Sequence, residues 1–269
     1  VQATRGRMLE RLEQAKAGGA DLVVYPELAT PGYPPKDLLH QTGVVAACLE
    51  TVDALAAAAT GTAVLVGHVA PNPEPNGKAL LNAVSLLEEG RVSHRWVKAL
   101  LPSYDVFDET RYFEPATTTD LATFRSHKLG VTVCEDIWSV PGSDGRSPYK
   151  WSPVQAQIEA GATLLINVSA SPFELGKLER RRSRVTDLAR LAGVPMVYCN
   201  QVGGQDELIF DGGSFAADGR GRVIAQGERF QEGITWVDLG RDDVVEPSTE
   251  DIGAVCDALC LGLRDYMVK

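Results

Sequence analysis

Apolar positions along the first part of the chain switch between helical spacing and short continuous runs. Met8, Leu12 and Ala15 recur within 4–17 at the three- and four-residue intervals of an amphipathic helix. The stretch at 21–25 that follows is short and, after Asp21, continuously apolar, which is typical of a buried strand. A helix followed by a buried strand is the repeating unit of an α/β protein.

The same alternation continues through the chain. Further helices are predicted at 44–59, 154–160, 178–191 and 252–268, and further strands at 63–69, 79–87, 92–101, 129–134, 163–168, 194–199, 213–217, 223–226 and 234–239. The polar segment 88–91 predicts a hairpin, so we expect an α/β fold with mixed rather than purely parallel sheets. Tight turns between strands are predicted at Gly203-Gly204 and Gly212-Gly213. One domain is expected over 1–247, followed by a linker helix within 248–269, because the character of the sequence changes near Pro247.

Composition narrows the class of function. The chain has 36 acidic and 26 basic residues and a formal net charge of −10, which opposes a nucleic-acid partner because phosphate binding needs a basic surface. No apolar stretch reaches the ~20 residues of a membrane span, so no membrane partner is expected. The five cysteines lack metal-binding or disulfide spacing, which predicts no metal site and a reduced, cytoplasmic setting. We expect Cys256 and Cys260 to pack in the core.

Three reactive residue types lie in or directly after predicted strands. Glu27 follows the first strand, Lys98 lies in the segment 92–101, and Cys134 ends the strand 129–134. Such positions are where α/β proteins present catalytic side chains. A thiol needs a nearby cation and a base to act as a nucleophile, so we expect Cys134 to be a thiolate beside Lys98 and Glu27. Spacing alone leaves open the alternative of a buried cysteine, a loop acid and a surface amine.

Four blocks of sequence carry a family resemblance. Residues 25–39 read Tyr-Pro-Glu-Leu-Ala-Thr-Pro-Gly-Tyr-Pro-Pro-Lys-Asp-Leu-Leu, and residues 98–113 read Lys-Ala-Leu-Leu-Pro-Ser-Tyr-Asp-Val-Phe-Asp-Glu-Thr-Arg-Tyr-Phe. Residues 130–138 read Gly-Val-Thr-Val-Cys-Glu-Asp-Ile-Trp, and residues 167–177 read Asn-Val-Ser-Ala-Ser-Pro-Phe-Glu-Leu-Gly-Lys. The first three resemble the Glu, Lys and Cys motifs of the nitrilase (carbon–nitrogen hydrolase) superfamily, in the form found in glutamine-dependent NAD synthetases, and the last resembles a fourth block.

The resemblance implies a fold and a set of site residues. The implied fold is a four-layer α-β-β-α sandwich. Glu27 is the implied general base, Lys98 the amine that stabilises the oxyanion together with a backbone N–H near Glu135, Cys134 the nucleophile and Glu109 an additional carboxylate that orients the site. The positions that align with the family's glutamine pocket are Tyr33, Tyr104, Phe107, Glu135, Trp138, Ser171 and Lys177. Of these, Glu135 is the candidate for binding the substrate α-amino group. The alternatives are that Glu135 is a solvated loop acid and that Lys177 is a surface cation at the start of a helix.

The implied activity is that of a glutamine amidohydrolase domain. It would form a Cys thioester and supply ammonia for NAD synthesis from deamido-NAD in a longer protein. The implied partners are L-glutamine, a C-terminal synthetase domain and further copies in a homo-oligomer. No cofactor is expected for the glutaminase step. ATP and Mg²⁺ are expected only in the synthetase domain, whose Ser-Gly-Gly phosphate loop is not in this sequence, and the family's first strand is expected to precede Val1.

Two other functions compete with this hypothesis. One is a free-standing nitrilase-family amidase that acts on another small amide, and the other is a catalytically silent scaffold that assembles oligomers. The run Tyr-Pro-Pro-Lys-Asp-Leu-Leu at 33–39 and the terminal helix favour the glutaminase domain over the free-standing amidase. The presence of Glu27, Lys98 and Cys134 argues against the scaffold.

Overall fold

Helices and strands alternate along the chain in the computed structural model, which describes residues 1–139, 149–246, 249 and 252–268. The helices of this part are α1 (Gln2–Ala17), α2 (Val44–Ala58), α3 (Pro153–Glu159), α4 (Lys177–Ala192) and α5 (Gly253–Val268). Its strands are β1 (Leu22–Val24), β2 (Ala63–Pro71), β3 (Leu80–Glu88), β4 (Arg91–Val97), β5 (Ala122–Phe124), β6 (His127–Val133), β7 (Leu164–Ser169), β8 (Met196–Asn200), β9 (Val202–Gln205), β10 (Leu208–Asp211), β11 (Phe215–Ala217) and β12 (Val223–Gln226). The predicted α/β class with mixed sheets is confirmed.

The first of two structural units comprises Val1–Asp120 and Thr132–Pro153. Its sheet has the strand order β1-β2-β3-β4, with β1 parallel to β2 and the other neighbours antiparallel. The predicted hairpin is confirmed, and Glu88 lies opposite Arg91 at its turn.

Two helices cover this sheet. Met8 and Leu12 of α1, Leu55 of α2, and Val64 and Val66 of β2 belong to one buried apolar cluster. The four-residue spacing of Met8 and Leu12 places both on one face of α1, which explains why that face is buried. This packing fixes the positions of β2 and β1, and therefore also the start of the segment that follows β1.

The second unit comprises Leu121–Val131 and Val154–Lys269. The six-stranded sheet has the order β12-β11-β8-β7-β6-β5, in which β7 and β8 are parallel and β8 and β11 are antiparallel. Helix α4 packs on β8 and β11. Its buried residues are Leu178, Arg181, Val185, Leu188 and Ala189.

A hairpin of β9 and β10 packs against α5 within the second unit. The prediction of a turn at Gly203-Gly204 is wrong, because both glycines lie inside β9. A Cβ at Gly204 would lie 3.1 Å from the Cα of Gly262 on α5, so the glycines permit a close approach of helix and strand. Gly212 and Gly213 lie between β10 and β11 with positive φ angles, as the predicted turn requires.

Two further predictions are wrong, and a third concerns residues that the structure does not describe. The segment 234–239 is not a strand. Cys256 and Cys260 are exposed on α5 rather than packed in the core, because α5 buries the face that carries Ala254, Ala258 and Leu261. The predicted domain boundary between 247 and 248 lies outside the described residues, so that division stays a prediction. Among the described residues, no helix combines the length and apolar character needed to cross a bilayer.

Candidate active site

Glu27 is placed by the chain that leaves β1. The backbone N–H of Tyr25 donates to Leu65 O at 2.8 Å and extends the pairing with β2 beyond the end of β1. Glu27 follows in a fully buried position, and Leu28 after it has a φ of 45°, an unusual value for a residue with a branched side chain. Gly67 on β2 lies so close that a Cβ there would be 2.7 Å from Glu27 Cα. Glycine at position 67 therefore creates the space that Glu27 occupies.

Lys98 directly follows β4 and is almost fully buried. Its backbone N–H donates to Asn82 O at 2.9 Å, which continues the β3–β4 pairing by one residue. Its Nζ donates to Glu27 Oε1 at 2.7 Å and to Glu109 Oε1 at 2.7 Å. The structure therefore brings together three of the predicted catalytic residues, of which Glu27 is 71 positions from Lys98 in the sequence.

Two more side chains bind these carboxylates. The hydroxyl of Tyr33 donates to Glu109 Oε1 at 2.8 Å. Asn82 on β3 donates through Nδ2 to Glu27 Oε1 at 2.7 Å and lies 3.4 Å from Glu109 Oε2. Asn82 was not assigned a role from sequence, although it is an amide inside the otherwise apolar start of a strand that is buried except at its two ends. A buried polar residue needs a partner, and that signal could have identified it.

Burial and charge shift the proton affinities of this cluster. Burial raises the pKa of Glu109 above its usual value, although Lys98 opposes the shift. Burial alone would lower the pKa of Lys98, but Glu109 and Glu27 outweigh it and hold that pKa well above its usual value. Lys98 is therefore a permanent cation between two acids.

Cys134 begins a short 3₁₀ helix, Cys134–Ser139, directly after β6. Its φ of 42° turns the chain sharply at this residue, a conformation that is costly for a residue with a side chain and is often found at functional sites. Burial and the charge of Glu27 raise the pKa of the half-buried thiol, and the opposing effect of Lys98 is smaller. The expectation of a resting thiolate is therefore wrong, because burial and the nearby carboxylates together outweigh the single ammonium of Lys98.

Asp136 connects the segments that carry Lys98 and Cys134. Its Oδ1 accepts the backbone N–H groups of Ala99 at 3.1 Å and Leu100 at 2.9 Å, which directly follow Lys98. Its Oδ2 accepts the N–H of Val133 at 3.0 Å, which directly precedes Cys134. This buried carboxylate was not assigned a role from sequence. It fixes the two reactive segments against each other with three hydrogen bonds.

The predicted pocket residues of the first unit surround this centre with aromatic rings. Phe107 contacts Tyr33 and Tyr104, with ring centroids 6.3 Å and 5.6 Å apart. Tyr104 donates its hydroxyl to Glu135 Oε2 at 2.9 Å, and Glu135 is buried directly after Cys134. Trp138 is half-buried on the same 3₁₀ helix as Cys134.

A cavity of ≈ 280 Å³ lies beside these residues. Its lining comprises Tyr33, Pro34, Pro35, Lys36, Asp37, Val106, Phe107, Asp108, Glu109, Arg111, Tyr112 and Phe113. Tyr33, Phe107 and Glu109 thus belong both to the cavity wall and to the predicted site.

Ser171 and Lys177 belong to the second unit. Ser171 is buried after β7, and its N–H donates to Asn200 Oδ1 at 2.9 Å. Its hydroxyl oxygen accepts Arg181 Nε at 3.1 Å, and its carbonyl accepts Arg181 Nη2 at 2.7 Å. Arg181 is itself paired with Asp211 at 2.7 Å. Lys177 is half-buried at the first position of α4, and the binding roles of both residues stay predictions.

Comparison with known proteins assigns the family. The sequence description of the carbon–nitrogen hydrolase family matches residues 1–246. The chain belongs to the carbon–nitrogen hydrolase family. This carbon–nitrogen hydrolase is 40% identical over 267 residues to the glutamine-dependent NAD(+) synthetase of Synechocystis sp., covering 95% of the chain and 48% of that protein. It is 36% identical to the protein of the same name from Thermotoga maritima, covering 91% and 40%.

Solved structures agree with this assignment. The glutamine-dependent NAD+ synthetase of Acinetobacter baumannii superimposes with a TM-score of 0.86 at 31% identity, over 99% of this hydrolase and 49% of that chain. An amidase from Nesterenkonia sp. superimposes with a TM-score of 0.73 over 90% and 85%, but at 23% identity it shows the fold alone. The hydrolase therefore spans about half the length of the synthetases that it matches.

Proposed function

We propose that the chain hydrolyses the side-chain carboxamide of L-glutamine through Cys134 and releases ammonia. The observation that supports this most strongly is the buried contact of Lys98 Nζ with Glu27 and Glu109, within electrostatic range of the Cys134 thiol. A carboxylate base, a permanent cation and a thiol together supply what acyl transfer from an amide requires. They do so without a cofactor.

The raised pKa of Cys134 decides how the reaction starts. Because the resting thiol keeps its proton, attack on the carboxamide carbon needs a base, and Glu27 takes the proton as the S–C bond forms. Glu27 then returns the proton to the departing nitrogen, the C–N bond breaks, and ammonia leaves behind a Cys134 thioester. Water, deprotonated by Glu27, hydrolyses the thioester to glutamate and restores the thiol.

Lys98 has the geometry to stabilise the oxyanion. An ammonium group has three N–H donors, and within the described residues two of them are used on Glu27 and Glu109. The third can donate to the negative oxygen that develops during attack, together with a backbone N–H near Glu135. Glu109 and Asn82 hold Lys98 and Glu27 in place for both half-reactions.

In the longer protein, we propose that the ammonia serves NAD synthesis from deamido-NAD. The support is that the matched relatives are named glutamine-dependent NAD(+) synthetases and that the chain covers about half of each. ATP and Mg²⁺ would be bound by the synthetase portion, which would be this domain's partner within the same protein. Copies of that protein would form a homo-oligomer. A cytoplasmic location is consistent with the five free cysteines.

The test is release of ammonia from L-glutamine by the wild-type chain and by Cys134→Ala. We expect wild-type turnover and its loss in the variant, with circular dichroism showing an unchanged fold. Cys260→Ala removes an exposed thiol on α5 and is the matched control with wild-type activity. Turnover of small aliphatic amides but not of glutamine would instead favour a free-standing amidase, and turnover retained in Cys134→Ala would contradict the assignment.

A further inference from the structure

Glu135 accepts a second phenol besides that of Tyr104. Tyr149 donates its hydroxyl to Glu135 Oε1 at 2.6 Å, while Tyr104 donates to Oε2 at 2.9 Å. We infer that Tyr149 is a positioning residue that fixes the Glu135 carboxylate for the α-ammonium group of the substrate, and thereby selects α-amino acid amides. This inference rests on the proposed function.

The two phenols constrain the orientation of the carboxylate. The last torsion of a glutamate side chain has a broad energy profile, so a carboxylate held at one oxygen can rotate. Tyr104 comes from the segment after β4 and Tyr149 from the segment before α3, and each binds a different oxygen. The plane of the Glu135 carboxylate is therefore fixed from two sides.

The same arrangement leaves Glu135 able to bind a cation. A carboxylate has about four acceptor positions, so one phenol on each oxygen leaves acceptor capacity on both. Burial and the charge of Glu135 raise the pKa of both Tyr104 and Tyr149, so both hydroxyls keep their protons and act as donors to the carboxylate. Glu135 can therefore accept further hydrogen bonds from an ammonium group.

The charge balance of the site favours a substrate that carries a cation. The carboxyl groups of Glu27, Glu109 and Glu135 outnumber the ammonium of Lys98, and all four affect the thiol of Cys134. An α-ammonium group beside Glu135 offsets part of this negative charge. Since Glu135 directly follows the nucleophile, it holds the substrate's charged end at a fixed distance from the reacting sulfur.

Tyr149→Phe tests the inference because it removes one hydroxyl and keeps the ring. Ammonia release is measured with L-glutamine and with 4-carbamoylbutanoate, which is glutamine without its α-amino group. We expect the KM for glutamine to rise about tenfold, equivalent to ~1.4 kcal/mol, with kcat within about twofold of wild type. The kcat/KM for 4-carbamoylbutanoate should stay at the wild-type value, because that substrate offers nothing for Glu135 to bind.

A control and a double variant complete the experiment. Tyr266→Phe removes the hydroxyl of an exposed tyrosine on α5, outside the site, and should leave both substrates unaffected. In a Glu135→Gln background, Tyr149→Phe should have little further effect on glutamine, since Tyr149 acts through Glu135. Equal losses for both substrates, or an unchanged KM for glutamine, would overturn the role of Tyr149.

Binding measurements separate this inference from the proposed function. Calorimetry compares glutamine binding to Cys134→Ala and to Cys134→Ala/Tyr149→Phe, neither of which needs turnover. Weaker binding to the double variant supports the inference even if the wild-type chain releases no ammonia, an outcome that would contradict only the proposed function. Equal affinities overturn the inference even if the wild-type chain hydrolyses glutamine.

Discussion

Replacing Gly67 by alanine tests how tightly Glu27 is held against β2. The new Cβ would lie 2.7 Å from Glu27 Cα and 2.7 Å from the Leu28 nitrogen, both backbone atoms that no side-chain rotation can move. Ordinary contacts begin at 3.4 Å, and the backbone oxygen of Pro26 would lie even closer to the new Cβ than these two atoms, so the backbone around Glu27 must shift by more than about 0.7 Å, the difference between 3.4 Å and 2.7 Å. A displacement of ~1 Å at a catalytic group can cost roughly 100-fold. We therefore expect kcat for glutamine to fall roughly 10- to 100-fold.

The assay must separate misplacement from unfolding. Overpacking of this kind costs about 1–3 kcal/mol of stability, so urea denaturation measures the folded fraction and kcat is expressed per folded molecule. Gly6→Ala is the matched control, because a Cβ there has no neighbour within 4 Å. A folded Gly67→Ala protein with wild-type kcat would refute the claim that the glycine positions Glu27.

Two further predictions concern buried polar groups. Asp136→Asn places an NH₂ group against at least one of the three backbone N–H donors. We therefore expect a loss of about 2 kcal/mol in the free energy of unfolding, and a lower kcat with little change in KM. Wild-type stability in urea would contradict the role of Asp136 in holding the two segments together. His68 is fully buried, and burial lowers its pKa from 6.5 to about 4. Between pH 7 and pH 5 His68 therefore binds a proton in the unfolded state but not in the folded state. This difference should lower the free energy of unfolding by about 2 kcal/mol as the pH falls from 7 to 5. In His68→Gln this part of the pH dependence should disappear from urea unfolding curves, and an unchanged pH dependence would contradict it.

Strands with strong patterns were predicted closely from sequence. The strand 223–226 coincides with β12, and the run 63–69 lies inside β2, which is buried on both faces and has His68 as its one charged or polar side chain. The β9–β10 hairpin was missed because its glycines serve a close approach by α5, a tertiary contact with no local signal. The segment 234–239 contains apolar residues but is not a strand.

The candidate site also contains residues that sequence motifs predict and residues whose roles only the folded structure shows. Glu27, Lys98 and Cys134 are reactive residue types at strand ends, and sequence motifs point to them. Asn82 and Asp136 act only through the hydrogen bonds that they make in the folded chain, so their roles depend on three-dimensional contacts. The expectation of a thiolate failed for a related reason, since the balance between burial, two carboxylates and one ammonium depends on distances that a sequence does not contain.

Mass mapping of the cysteine modified by a glutamine-shaped electrophile tests the central claim most directly. Exposed Cys256 and Cys260 should react with a simple alkylating reagent, whereas Cys134, with its raised pKa, should react only when the reagent fits the site and Glu27 removes the proton. We predict that the glutamine-shaped reagent modifies Cys134 in the wild-type chain and fails to do so in Glu27→Gln. Modification of Cys256 or Cys260 in its place, or equal modification of Cys134 in both proteins, would contradict the account.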